Sequence, residues 1–365
     1  MCKVFNTIGC LNYIQYHLNN HNIDEFNSIN ELINFQRDYH FTQQQIISNH
    51  TRLIEQEKIT LEKDIVQLND TISTKIIELQ ERLKERLNNL DQQTKNLPLT
   101  HSKIIPTLID YYKNLIICIK ILFAHLTFYS KLFIELRPKR LLSEKQDRSK
   151  YIHLNFQDAV KQSGLSELQE LKRKKGIIEN LNSSIYGAIG EHKVEKVLKK
   201  LSEDYILIND FTCSFQPPIY NRKENDIIKS VQIDHLLISP SGIFIIETKN
   251  WSEHSIANLD LRSPVQQVKR TNFALFKLLA GEIAMSNFNF KKHHWGDRKI
   301  PIRNIVVFIN NSPIEEFQFV KILSLTKLLP YIEYFTPSFT LNETQIIADY
   351  LLNISDKREQ SSLIV

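Results

Sequence analysis

Apolar positions first repeat along this chain with a helical period. Over residues 41–97 they fall at Leu61, Ile65, Leu68, Ile72, Ile76, Leu79, Leu83, Leu87 and Leu90. Steps of three and four predict one long amphipathic helix. Their mean spacing is nearer an eleven-residue repeat than a strict heptad, which implies a straight or slightly right-handed coil. The stripe needs a partner helix, in cis or from a second subunit, and Pro98 is expected to end it. Residues 102–136 predict a second helix with Pro106 near its first turn. Its Leu115–Tyr129 stretch is very apolar, but Lys113, Lys120 and Lys131 interrupt it. We read it as a buried helix covering the stripe rather than a membrane span. Residues 1–40 predict short helices that contribute packing, and Arg137 to Lys150 a charged, solvated loop. Residues 165–200 return to helix. The run Lys172-Arg173-Lys174-Lys175 there is placed to line an entry path for a nucleic-acid backbone.

The period then changes to two. Tyr205–Phe211 predicts a strand, Pro217 to Lys229 a polar loop, and Gln232 to Lys249 two apolar strands joined by Ser239-Pro240-Ser241-Gly242. A helix follows Pro264, then a strand at Ile305–Ile309 and closing helices at 321–335 and 342–354. The fold class is α+β or α/β: an N-terminal helical, coiled-coil region over residues 1–180, then a domain over 181–358 with a central mixed sheet flanked by helices.

Charge is out of place inside that hairpin. A buried carboxylate without a partner is costly, yet Asp234, Glu247 and Lys249 interrupt the apolar strands. Glu247 and Lys249 share a face because side chains alternate along a strand. If Pro240 and Ser241 form a two-residue loop, Ser239 pairs with Gly242, and counting outwards sets Asp234 opposite Glu247. A three-residue loop with a glycine bulge would break that register. Two converging carboxylates and an ammonium suit a hard divalent cation such as Mg²⁺. The alternative is a charged cluster on an exposed strand face.

Further residues point the same way. Gly187-Ala188-Ile189-Gly190-Glu191, Ile233-Asp234-His235, Gly242-Ile243-Phe244, Glu247-Thr248-Lys249-Asn250-Trp251 and Pro264-Val265-Gln266-Gln267 follow one another in an order that resembles the nuclease-related domain (NERD), a branch of the PD-(D/E)XK nuclease superfamily. The resemblance spans about residues 183–355. It implies that Glu191 helps bind or orient a metal, that Asp234 binds it, and that Glu247 and Lys249 form the E-x-K pair. It further implies that the Thr248 carbonyl is an extra ligand and that Gln267 lies near the scissile phosphate. The implied cofactor is Mg²⁺ or Mn²⁺, and the implied substrate is nucleic acid, DNA rather than RNA. The expected function is a metal-dependent nuclease, in bacterial defence by domain type alone. The alternative is a non-catalytic nucleic-acid-binding or scaffold protein assembling through its coiled coil.

Composition adds little but agrees. The 365 residues allow two domains, and a formal net charge of +5 fits contact with a polyanion. Cys2, Cys10, Cys118 and Cys213 form no C-x-x-C pair, which argues for a reducing compartment. The start shows no signal-peptide pattern. We therefore expect a cytoplasmic protein without membrane attachment, forming a homo-oligomer or binding a partner protein through the coiled coil. Glycine is absent between Gly9 and Gly164, as a long helical region requires.

Overall fold

The computed structural model describes residues 1–97, 104–251, 262–280, 300–310, 316–357 and 360–365. Pro98, most of the segment between Trp251 and Pro264, and the Lys291–Trp295 stretch lie outside them. The chain divides into two compact units: Met1–Asp38 with Arg173–Val365, and Tyr39–Lys172. Against the expected division at 180/181, the boundary falls between Lys172 and Arg173, and the first 38 residues belong with the sheet-containing part.

In the first unit, six strands form one mixed sheet in chain order: β1 (Lys3–Phe5), β2 (Ile206–Asn221), β3 (Asp226–Ser239), β4 (Gly242–Lys249), β5 (Ile302–Phe308) and β6 (Lys321–Ser324). β2, β3 and β4 are antiparallel neighbours, whereas β1, β5 and β6 each join in parallel. On one face, Val265, Val268 and Leu275 of α8 (Arg262–Ala280) and Ile347 and Leu351 of α10 (Leu341–Ile354) cover Ile208, Ile245 and Val306. On the other, Val194 and Leu198 of α7 (Asn182–Leu198) and Ile332 of α9 (Leu328–Glu333) cover Leu237, Phe244 and Ile246. A third cluster joins Leu11, Ile14 and Leu18 of α1 (Gly9–Asn20) to Ile178, Ile185 and Leu363.

Three expectations change here. The N-terminal residues are not all helical, since β1 forms the sheet edge beside β2. The expected polar loop from Pro217 to Lys229 is mostly hairpin, because β2 and β3 extend to Asn221 and Asp226. Pro217 and Pro218 are tolerated because the ladder is interrupted between Ser214 and Ile219. The Lys172–Lys175 run is also less open than an entry path needs. Lys174 Nζ lies 2.5 Å from Glu25, Arg173 donates to the His21 carbonyl at 3.0 Å, and Lys175 pairs with Glu179 at 3.6 Å.

The second unit is helical. It holds most of α2 (Ile29–Lys95), α3 (Ile104–Glu135), α4 (Pro138–Leu154), α5 (Phe156–Ser163) and the start of α6 (Leu165–Asn180). α2 is one helix of 67 residues, and all nine stripe positions named above are buried or half-buried. Helices in cis tie to it, through Lys75–Glu135 at 2.9 Å, Lys145–Asp64 at 2.7 Å and Arg148–Glu57 at 2.8 Å. The expected solvated loop at 137–150 is helix from Pro138 on, with Lys145 and Arg148 paired with acids of α2. The expected burial of α3 also fails. Only Ile117 and Ala124 are buried, and Ile104–Leu154 is long and apolar enough to cross a membrane, with 11% of its most apolar window buried.

Candidate active site

The turn chemistry sets the register. Ser239 pairs with Gly242, and the ladder continues through Ile238–Ile243 to His235–Ile246, as a two-residue loop requires. Gly242 has φ +124°, and a Cβ there would lie 2.5 Å from the Pro301 carbonyl, so only glycine fits.

The strands lose their regular alternation just beyond. Ile206 and Ile208 share a core face with Phe211 and Cys213, while Leu236 and Ile238 share it with Val231 and Ile233. Each strand slips by one position, β2 at Asn209–Asp210 and β3 at Asp234–His235. Asp210 accommodates the slip with φ +46°. These four polar residues therefore leave the apolar cluster together, and the candidate site forms around them.

Asp234 Oδ2 accepts the Thr248 backbone N–H at 2.8 Å, which fixes its carboxylate against β4. Glu247 is 4% exposed. Its Oε1 lies 2.7 Å from Lys249 Nζ, and its Oε2 accepts from Gln267 Nε2 of α8 at 3.1 Å. Glu191, buried on α7, accepts the Cys10 N–H at 3.1 Å. That N–H belongs to the first turn of α1, where backbone donors lack intrahelical partners and a negative charge is favoured. Glycine permits this crossing: a Cβ on Gly187 would lie 2.6 Å from Cys10 Sγ.

Negative charge here exceeds its local compensation. Burial raises Glu191 to about 7, helped by Asp210 and Glu247 and opposed by the bonds from Cys10. Asp234 is raised well above the carboxylate range by burial, then by Glu247 and Glu191, against the Thr248 N–H and Lys249. Burial pulls the Lys249 ammonium down, but Glu247 and Asp234 outweigh it and hold Lys249 above its ordinary value. Lys249 is thus a cation here, not a proton acceptor.

All the residues expected from sequence gather at this place: Glu191, Asp234, Glu247, Lys249, Gln267 and Thr248. Thr248 contributes its N–H to Asp234, and its hydroxyl is buried without a hydrogen-bond partner. Among the described residues, no group of three or more His, Cys, Asp or Glu is arranged to hold a metal ion. Any ion would therefore draw much of its shell from water and substrate oxygens, as Mg²⁺ commonly does.

Sequence reasoning missed several supporting residues. Asp210 accepts from Gln232 Nε2 at 2.7 Å and Asn12 Nδ2 at 3.1 Å. His235 is fully buried, with Nδ1 2.8 Å from Asn209 Oδ1, and Asn209 Nδ2 donates to Glu195 at 2.9 Å. That chain assigns the His235 proton to Nδ1, and burial lowers the imidazole to about 3, so it is neutral. The available signal was a polar pair inside each apolar strand, Asn209-Asp210 and Asp234-His235. Beside Gln267 lies a cavity of about 310 Å³ lined in part by Thr212, Gln232, Arg270 and Thr271. Arg270, on the wall of this cavity, pairs with Asp226 at 2.6 Å.

A mixed sheet that carries an acid–acid–lysine cluster on adjoining strands, braced by flanking helices, defines a candidate phosphodiesterase-type site. The family comparison agrees: residues 186–309 match the model of the nuclease-related domain. The match runs from α7 to just past β5, includes all six expected residues, and points to a nuclease-related function. Searches of curated proteins and of solved structures found no match to the chain.

Proposed function

We propose that this chain is a divalent-cation-dependent nuclease that hydrolyses phosphodiester bonds of DNA. The observation that carries this reading is the convergence of Asp234, Glu247 and a protonated Lys249 at one slip in the sheet, with Glu191 behind them. The carboxylate oxygens of Asp234, Glu247 and Glu191 are hard donors, and the repulsion among these three groups is the condition a cation relieves. Asp234 and Glu247 would hold Mg²⁺ or Mn²⁺ in a shell completed largely by water and substrate oxygens, and the resemblance implies Glu191 and the Thr248 carbonyl as further ligands. When bound, the ion supplies Lewis-acid polarisation and a water of lowered pKa. Lys249 places a fixed positive charge where phosphoryl oxygens gain negative charge. Gln267 and the Thr248 N–H hold Glu247 and Asp234 in orientation. The free state of all four cysteines fits a reducing, cytoplasmic setting, and defence against foreign DNA is the setting we propose for the activity.

A nuclease assay on single-stranded DNA, duplex DNA and RNA, with Mg²⁺ or Mn²⁺ and with chelator, tests this. Glu247→Ala and Lys249→Ala should each lower cleavage by ~10²–10³-fold, the usual cost of losing a preorganised charge at a reacting phosphate. Equal product from wild type and both variants would reject catalysis. Both Glu247 oxygens are already engaged, which favours a second reading, binding without cutting. Retained DNA binding with no cleavage under any ion would select it.

A further inference from the structure

The most anomalous surface in the described structure is the outer face of α3. Leu108, Leu115, Leu122 and Tyr129 recur every seven residues, and each is more than half exposed, at 63%, 56%, 62% and 63%. Four positions on from each stand Tyr112, Ile119, Leu126 and Phe133, themselves 46% to 68% exposed. Alternating steps of four and three are the a/d spacing of a coiled-coil seam. The flanking positions at 109, 116, 123 and 130 and at 111, 118, 125 and 132 carry no Asp, Glu, Lys or Arg. α3 therefore has two apolar seams. One holds Ile117 and Ala124, the two buried residues of the helix. The other faces solvent over ~40 Å of helix.

We infer that this outer seam is the site of self-association, taking the same seam of a second copy to form a four-helix bundle from two α2–α3 pairs. Three observations favour a second copy over other occupants. The seam has strict heptad spacing and no charge along it, so the surface most complementary to it is another such seam, and each copy brings one. Eight large side chains of this exposure supply roughly the ~800 Å² per partner that a standard stable interface removes from water. A spanning role is disfavoured by what α3 is tied to. Asp110, Lys113, Lys120 and Lys131 lie on the helix itself, and its ion pair with Lys75 binds it to α2, whose residues 55–86 are dense in Glu, Asp, Lys and Arg.

The test uses the full chain without detergent. Sedimentation velocity should give a dimer, twice the 42.9 kDa chain mass. Leu115→Glu with Leu122→Glu should give a monomer of unchanged helical circular dichroism, because both positions are exposed. Cys118 is the exposed one of the four free cysteines and flanks the seam. A short bismaleimide should therefore cross-link the unaltered protein into a covalent dimer, and Cys118→Ser should abolish the product. A wild-type monomer at tens of micromolar, or no Cys118-dependent cross-link, overturns the proposal. So does a chain that stays in solution only with detergent, or that co-floats as a monomer with phosphatidylcholine–phosphatidylglycerol vesicles.

Discussion

Glu191 carries a measurable consequence of the excess negative charge. Its folded-state pKa is raised to about 7 by burial, with Asp210 and Glu247 adding to it and the Cys10 donors opposing; Asp234 is a further carboxylate that it acts on. An acid raised in this way binds its proton more tightly folded than unfolded, so stability falls as pH rises from the ordinary carboxylate range to about 7 and is level above that. Glu191→Gln keeps an oxygen for the Cys10 N–H and removes the titration. The variant should equal wild type near pH 4 and exceed it near pH 8 in the metal-free protein, by on the order of 3 kcal/mol at most. Thermal melts across that range read the difference directly. Added Mg²⁺ should raise the wild-type melting temperature more at pH 8 than at pH 6, because the ion needs the ionised carboxylate. Parallel pH profiles for wild type and variant would show that the charge excess lies elsewhere.

The crossing of α1 over α7 brings the Cys10 N–H to Glu191, and Gly187 is what allows it. Gly187→Ala should cost ~1–3 kcal/mol, the usual range for overpacking, and should lower activity by moving Glu191. In a Cys10→Ala background the obstructing Sγ is gone and the cost should shrink. Urea denaturation of the four-protein cycle measures that coupling, and strict additivity would mean the contact restrains nothing. These elements also show what was legible in the sequence. The 239–242 turn could be read because Pro and Gly each demand a particular backbone, and it gives the register as far as His235–Ile246; beyond that pair Asp234 meets the Thr248 N–H, not a ladder pair with Glu247. Strand β1 could not, because three residues carry no periodicity. Asp210 was hidden because nothing in Asn209-Asp210 within an apolar strand announces a positive φ; only the slip it permits shows it. The outer seam of α3 was misjudged because apolarity suggests burial, whereas spacing alone does not say which face is covered.

The matched segment, residues 186–309, lies inside a larger compact unit, Met1–Asp38 with Arg173–Val365. Leu11, Ile14 and Leu18 share a cluster with Ile178, Ile185 and Leu363. The Ile29 N–H donates to the Ile364 carbonyl at 2.8 Å, the Ile364 N–H donates to the Asn27 carbonyl at 3.1 Å, and β1 completes the sheet edge. Both ends of the chain thus close the core that holds Glu191. Each fully buried Leu or Ile contributes ~1.5–3 kcal/mol, so losing even half a dozen rivals the whole stability of a typical domain, ~5–15 kcal/mol. A fragment of residues 173–365 should therefore be unfolded or aggregated alone. Adding residues 1–38 in trans should restore the cooperative thermal transition and, with Mg²⁺ or Mn²⁺, cleavage if the proposed chemistry is right. The folding readout does not depend on activity. A cooperative melt from 173–365 alone, unchanged by the N-terminal peptide, would show that α1 and β1 decorate the sheet rather than complete it, and that Glu191 keeps its place without the first turn of α1.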